Sequence, residues 1–218
     1  MELPYDPNGR QVYDGEGNPT TVKYWLVNKD DMEDFTAVVN DDPSLYNITW
    51  LSTAGAVERT SNVTSRLYAG DDTALYTISA VERNSGSRAI GYVIVYSVKV
   101  AISPKTLNLY YEDRTEADID IVLTVEPEAL RTVNWMPLEK YIDGDVDWEI
   151  EPYTTGAALV VENANSDNET ITVQLIPNDS VYRFGTSYVT ATFTDTLTGL
   201  EHELVSTVSS LPSNTAAA

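Results

Sequence analysis

The sequence predicts an all-β protein built as two tandem β-sandwich domains, and three observations carry that expectation. Its apolar residues fall in short alternating runs rich in Val, Ile, Thr and Tyr, divided by Asn, Asp, Gly, Ser and Pro. No segment shows the three-to-four residue apolar spacing of an amphipathic helix. Trp50 and Trp148 each sit in such a run, and they stand about 100 residues apart, the size of one sandwich domain.

The elements follow in order. Residues 1–22, with Pro4, Pro7, Gly9, Gly15, Gly17 and Pro19, read as an irregular N-terminal arm, able to order on assembly. The first domain spans 23–103. It holds Tyr46-Asn47-Ile48-Thr49-Trp50, then strands over 56–59, 63–68 and 73–82, a turn at Arg83-Asn84-Ser85-Gly86-Ser87, and a closing strand over 88–102. Ser103-Pro104-Lys105 marks the junction, since proline cannot continue a central ladder.

The second domain spans 104–210. Its opening strands are 106–111 and 117–126, with Ile119, Ile121, Leu123 and Val125 on one face and Asp118 and Asp120 opposite. In Val146-Asp147-Trp148-Glu149-Ile150 the apolar residues face one way and two carboxylates the other. Strands are expected at 157–162, 169–176 and 187–195, with Asn163 to Asn168 a loop, then a turn at Thr196-Leu197-Thr198-Gly199 and a last strand over 201–209. Residues 211–218 form a small-residue tail.

Composition narrows function. The 218 residues carry 34 acids against 13 Lys plus Arg, a formal charge of -21, with one His and no Cys. That surface repels polyphosphate, so no nucleic-acid partner is expected. There is no apolar run long enough to span a bilayer, so no membrane insertion is expected. Met1-Glu2-Leu3-Pro4 lacks the charged and apolar pattern of a signal peptide. Zero Cys removes thiol catalysis and Cys-based metal sites. No phosphate loop or dinucleotide fingerprint occurs. Residues 1–103 hold 14 acids and 8 bases, residues 104–218 hold 20 and 5, so most of the negative charge lies in the second half.

Val100-Ala101-Ile102-Ser103-Pro104, Leu107-Asn108-Leu109, Leu123-Thr124-Val125-Glu126-Pro127 and Val146-Asp147-Trp148 resemble the bacterial immunoglobulin-like domains of the group 2 type, found in intimin-like and invasin-like surface proteins and in phage virion proteins. In the first half the matching segment is Asn47 to Thr53. Trp148-Glu149-Ile150-Glu151-Pro152-Tyr153 departs from the family pattern, which has a Ser-rich segment and an Ala-Thr-Val strand after its Trp. The resemblance implies two tandem immunoglobulin-like β-sandwich domains and a non-catalytic spacer, decoration or adhesion role. It transfers no catalytic residue.

Asp143, Asp145 and Asp147 are the best candidates for a calcium site, because clustered carboxylates offer hard oxygen ligands. Trp148 stands where a calcium loop needs Gly and Thr154 where it needs a bidentate acid, so the alternative is a solvated strand face. No other cofactor is expected. The paired acids at Asp30-Asp31, Asp41-Asp42, Asp71-Asp72 and Glu112-Asp113 read as solvated turns. His202, between Glu201 and Glu203, reads as a surface edge residue. Trp50 and Trp148 are expected core plugs. Tyr110-Tyr111, Tyr153, Tyr182 and Tyr188 suit an aromatic surface for protein contacts or sugar stacking, against ordinary packing positions in an all-β chain, and Trp25, Tyr153 and Tyr182 are the candidate interface residues. Four Asn-X-Ser/Thr sequences begin at Asn47, Asn62, Asn168 and Asn178.

The expected function is a non-enzymatic structural or decoration protein of a phage-type virion, a capsid or minor head or tail component acting through contacts with capsid or other virion proteins. The alternative is a bacterial cell-surface or secreted adhesion or spacer module, including one that binds a surface glycan.

Overall fold

The structure, a computed structural model, describes residues 1–53, 55–111, 114–176 and 183–212. The chain divides into two units, residues 1–98 with 125–133, and residues 99–124 with 134–218. Both are built from β-strands, as the alternating runs lead one to expect.

The first unit contains β1 (Glu2–Leu3), β2 (Val22–Asn28), β3 (Met32–Thr36), β4 (Ile48–Ser52), β5 (Ala56–Arg59), β6 (Thr64–Tyr68), β7 (Ala74–Glu82) and the start of β8 (Arg88–Ser103). One sheet runs β1-β2-β8-β7-β4 and the other β3-β6-β5. β2 pairs with β8 in parallel, whereas β7 pairs antiparallel with both β8 and β4. Between the sheets lie Val27, Phe35, Leu67, Ile78, Val93 and Val95, with half-buried Trp50 packed against them. Trp50 is thus a core residue, although its indole Nε1 is buried without a partner.

The second unit repeats that connectivity. β9 (Thr106–Tyr110) pairs in parallel with the last strand, β15 (Glu201–Leu211), which pairs antiparallel with β14 (Gly185–Asp195), which pairs in turn with β11 (Ile142–Pro152). The opposing sheet is β10 (Glu116–Glu126), β13 (Thr170–Leu175) and β12 (Val161–Ser166), with β13 central. Written from the parallel opening strand, both units follow one plan: strands one, seven, six and three in one sheet, strands two, five and four in the other. This is the sandwich arrangement of an immunoglobulin-like domain, arrived at from pairing alone. Period-two burial is clearest in β10, where Ala117, Ile119 and Ile121 are buried and Asp118 and Asp120 face solvent.

Several expectations shift. Residues 1–22 are held against the first unit: the Met1 amino group donates to Tyr24 O at 2.9 Å, Tyr24 Oη donates to Tyr5 O at 2.8 Å, and Leu3 is fully buried. Asp6 and Asp14 each accept two backbone N–H bonds and close successive turns. Asn163 to Ser166 belong to β12 instead of a loop; this edge strand pairs on one side only and bulges between Asn163 and Asn165, which suits exposed polar residues. Two single-turn helices, α1 (Glu128–Thr132) and α2 (Leu138–Tyr141), begin after Pro127 and Pro137. Neither is long enough to display a helical period.

Candidate functional site

The strands of the second unit carry an aromatic ledge beside a cavity of about 540 Å³. β11 ends at Pro152, and Tyr153 follows with its backbone N–H still bonded to Thr186 O at 2.9 Å, which fixes its exit from the sheet. Tyr153 leaves 60% of its surface exposed and meets Tyr188 of β14 with ring centroids 5.2 Å apart. On the other side of the cavity Phe184, 56% exposed, meets Tyr111 edge-on at 6.2 Å. The backbone beneath Phe184 is anchored: Tyr111 Oη donates to Arg183 O and accepts from Arg183 N, both at 3.1 Å, and Ser210 Oγ also bonds Arg183 O. Ala157, Ala158 and Val160 complete an apolar wall. The exposed Glu149 and Glu151 lie along β11 next to the ledge, with Glu151 paired to Tyr188 in register. Rings held rigidly at the border of a carboxylate row offer contact area at low entropic cost.

Of the three candidate interface residues, Tyr153 therefore sits at this ledge, Trp25 lies in the other unit, and Tyr182 falls outside the described residues. Trp25 is 44% exposed; its ring covers Gly91 and meets Phe35 edge-on at 5.9 Å. Tyr188, Phe184 and Tyr111 form the ledge with Tyr153, and Tyr188 and Tyr111 belong to the aromatic surface that the sequence suggests. Phe184 went unmarked. Its position before β14, opposite a residue two strands away, has no sequence signal.

Asp143, Asp145 and Asp147 are exposed on β11 at an irregularity of its pairing with β14, where Gly144 takes a left-handed φ of 82°. Among the described residues no three His, Cys, Asp or Glu side chains gather as a metal would require. The backbone of that bulge is served by Asn168, whose side chain donates to Gly144 O at 3.0 Å and accepts from Val146 N at 3.2 Å. Beside it Trp148, half-buried, donates from Nε1 to Asp167 O at 2.7 Å. The amides of Asn47 and Asn62 are also engaged, both accepting from the Arg59 guanidinium. Asn178 lies outside the described residues.

His202 is drawn further into the structure than an edge residue. It stacks on Phe193 at 5.3 Å, and its Nε2 lies 2.8 Å from Asp195 Oδ2 and 3.3 Å from Tyr141 Oη. In a catalytic relay the histidine is the base, and its two ring nitrogens join the nucleophile on one side and the orienting acid on the other. Here both partners share Nε2, so the cluster holds a turn together. Burial alone pushes the Asp195 carboxyl up, but hydrogen bonds from the Thr198 hydroxyl and N–H, His202 and the Leu197 N–H outweigh it and hold it down at about 2. Burial, with the Asp195 charge, pushes the Tyr141 hydroxyl up to about 12.

No family model matches the chain. No curated protein matches it either. Among solved structures it is similar to the ectodomain of human desmocollin-1, at 12% identity and a TM-score of 0.45 over 89% of this chain and 37% of that one. It is also similar to human mucin-like protocadherin EC1-2, at 14% identity and 0.45 over 88% and 97%, and to the four N-terminal immunoglobulin domains of Dscam1 isoform 4.44, at 12% and 0.35 over 87% and 43%. The chain thus spans under half the length of the desmocollin and Dscam1 chains. At these scores the likenesses bear on neither function nor partner, and the architecture stands on its own strand pairing.

Proposed function

We propose that this protein is a non-enzymatic contact module, an adhesion or spacer element of an exposed biological surface that acts through protein–protein contacts. The observation that carries the reading is the ledge of the exposed Tyr153 and Phe184 rings beside an apolar cavity, with Tyr153 backed by the half-buried Tyr188 of β14. Protein interfaces concentrate aromatic anchors of this kind inside a polar rim. The only histidine being committed to a turn supports the same reading.

Display on a phage-type particle is the second setting, favoured by the resemblance of Leu107 to Leu109 and Val146 to Trp148 to domains that occur in virions as well as on cells. Cosedimentation of the full chain with bacterial cells and, separately, with assembled phage particles distinguishes the two. Saturable binding lost in Tyr153→Ala is the expected result with one of them. Binding that survives Tyr153→Ala and Tyr188→Ala together, or none to either target, overturns the ledge as the contact. Competition by soluble cell-wall polysaccharide would assign the ledge to a glycan instead.

A further inference from the structure

The shared strand plan makes the outward sheet faces of the two units equivalent position by position. In the first unit Leu51, Ser79 and Ile90 form a row across β4, β7 and β8; in the second Glu149, Thr190 and Val205 form one across β11, β14 and β15. Each row lies one residue beyond a matching inward pair, Trp50↔Ala80 or Trp148↔Ala191. Around these rows the charge is opposite. Among the described residues, no paired position of β4, β7 or β8 on the first face is Asp or Glu. Arg88 lies beside Ile90 there and donates to Ser79 Oγ at 3.3 Å, and Arg83 donates to Thr49 Oγ1 at 2.6 Å. On the second face no paired position of β11, β14 or β15 is Lys or Arg, and Asp147, Glu149, Glu151, Glu201 and Glu203 are all exposed.

Both faces have an apolar centre in water: Leu51 and Ile90 are 55% and 50% exposed, and Val205 is 40% exposed. Further along the first face the sheet is covered, with Ile94 of β8 and Tyr24 of β2 buried and Tyr24 Oη bonded to Tyr5 O of the N-terminal segment. Leu51 and Ile90 lack that cover. A row of carboxylates with no cation across the sheet repels itself. A cationic face with an apolar centre, brought against it, relieves that repulsion and takes the three apolar side chains out of water.

We propose that the protein self-associates through these two faces, the first-unit face of one copy, with Leu51, Arg88 and Ile90, seating on the second-unit face of another, with Glu149, Glu203 and Val205. A second copy is the occupant because this chain carries both halves of the complementary pair on one strand plan. Sheets pack face to face about 10 Å apart, within reach of an arginine on one for carboxylates on the other. The formal charge of -21 opposes approach from a distance. Physiological salt screens exposed charges beyond about 8 Å, which leaves the facing pairs to decide the contact. The contact does not use the cavity beside Tyr153, so it goes beyond the ledge.

The test is sedimentation velocity of the full chain at physiological ionic strength. The expected result is reversible, concentration-dependent association that weakens at high salt. Arg88→Glu alone, and Glu149→Lys combined with Glu203→Lys, should each associate at least about tenfold more weakly than the parent. An equimolar mixture of these two variant proteins should regain association, because each copy then meets an oppositely charged face, and that recovery shows that both are folded. Leu51→Asp, which leaves Arg88 and Ser79 in place, should weaken association as well. A chain that stays monomeric to millimolar concentration, charge-reversed variants that associate like the parent, or a mixture no stronger than its components overturns the proposal.

Discussion

His202 Nε2 lies 2.8 Å from Asp195 Oδ2, and the two residues clasp the ends of the turn that joins β14 to β15. Asp195 is 1% exposed and accepts four hydrogen bonds, two of them from backbone N–H groups of the turn. Because Asp195 accepts only, Nε2 carries the proton of this bond.

This arrangement sets the acid limb of stability. The folded carboxyl titrates at about 2 against an ordinary 3.8, so the charged form is favoured by folding. The contribution is complete above about pH 4 and disappears as pH falls through 2, a difference of about 2 kcal/mol. Asp195→Asn should lose about that much at neutral pH and flatten the decline between pH 4 and 2, as read by urea unfolding across that range.

Gly91 supports a different ring. A Cβ there would lie 3.1 Å from Trp25 Cζ3 and 3.2 Å from Ile78 Cγ2. Gly91→Ala should cost about 1–2 kcal/mol by overpacking and lift the indole. Thermal melting together with a red shift of tryptophan emission would register it, and an unchanged emission would mean that Trp25 does not rest on this glycine.

Trp148 is held at the sheet edge by its N–H as much as by its ring. Trp148→Phe keeps an aromatic body but removes the bond to Asp167 O, at a cost of about 1 kcal/mol. Equal stability of the two proteins in guanidinium would contradict that division of labour.

Calcium at millimolar concentration should give no binding enthalpy in calorimetry and leave the melting temperature unchanged, because Asp143, Asp145 and Asp147 follow an exposed strand instead of converging. A saturable enthalpy abolished by Asp145→Asn would restore the site.

Strand positions were legible from sequence wherever one face is apolar and the other polar, as in Ile119 to Val125 or Val146 to Ile150, because burial alternates with the pleat. The hairpin turns were equally plain, since Gly and Asn punctuate them. β12 was misplaced because an exposed edge strand has no buried face to mark it; Asn163, Asn165 and Ser166 look like a loop to any hydropathy argument. The ledge was half visible. Tyr153 drew notice as an aromatic after a strand, but its meeting with Tyr188 depends on the register Glu151↔Tyr188, and that of Phe184 with Tyr111 on chain segments far apart in sequence. Asn168 shows the same limit: nothing in its local sequence tells that its amide closes a bulge more than twenty residues away.

The parallel pairings Tyr24↔Tyr92 and Thr106↔Thr207 join the opening and closing strands of each unit. A ribosome must therefore deliver about 70 residues in one case and about 100 in the other before the first strand meets its neighbour, a demanding route for a growing chain. Until then the earlier strands have an open margin, exposed to whatever else in the cell is seeking a β-partner. Synthesis of this protein should reward anything that shields nascent strands, and truncation within β15 should be far more damaging than its position at the end of the chain suggests.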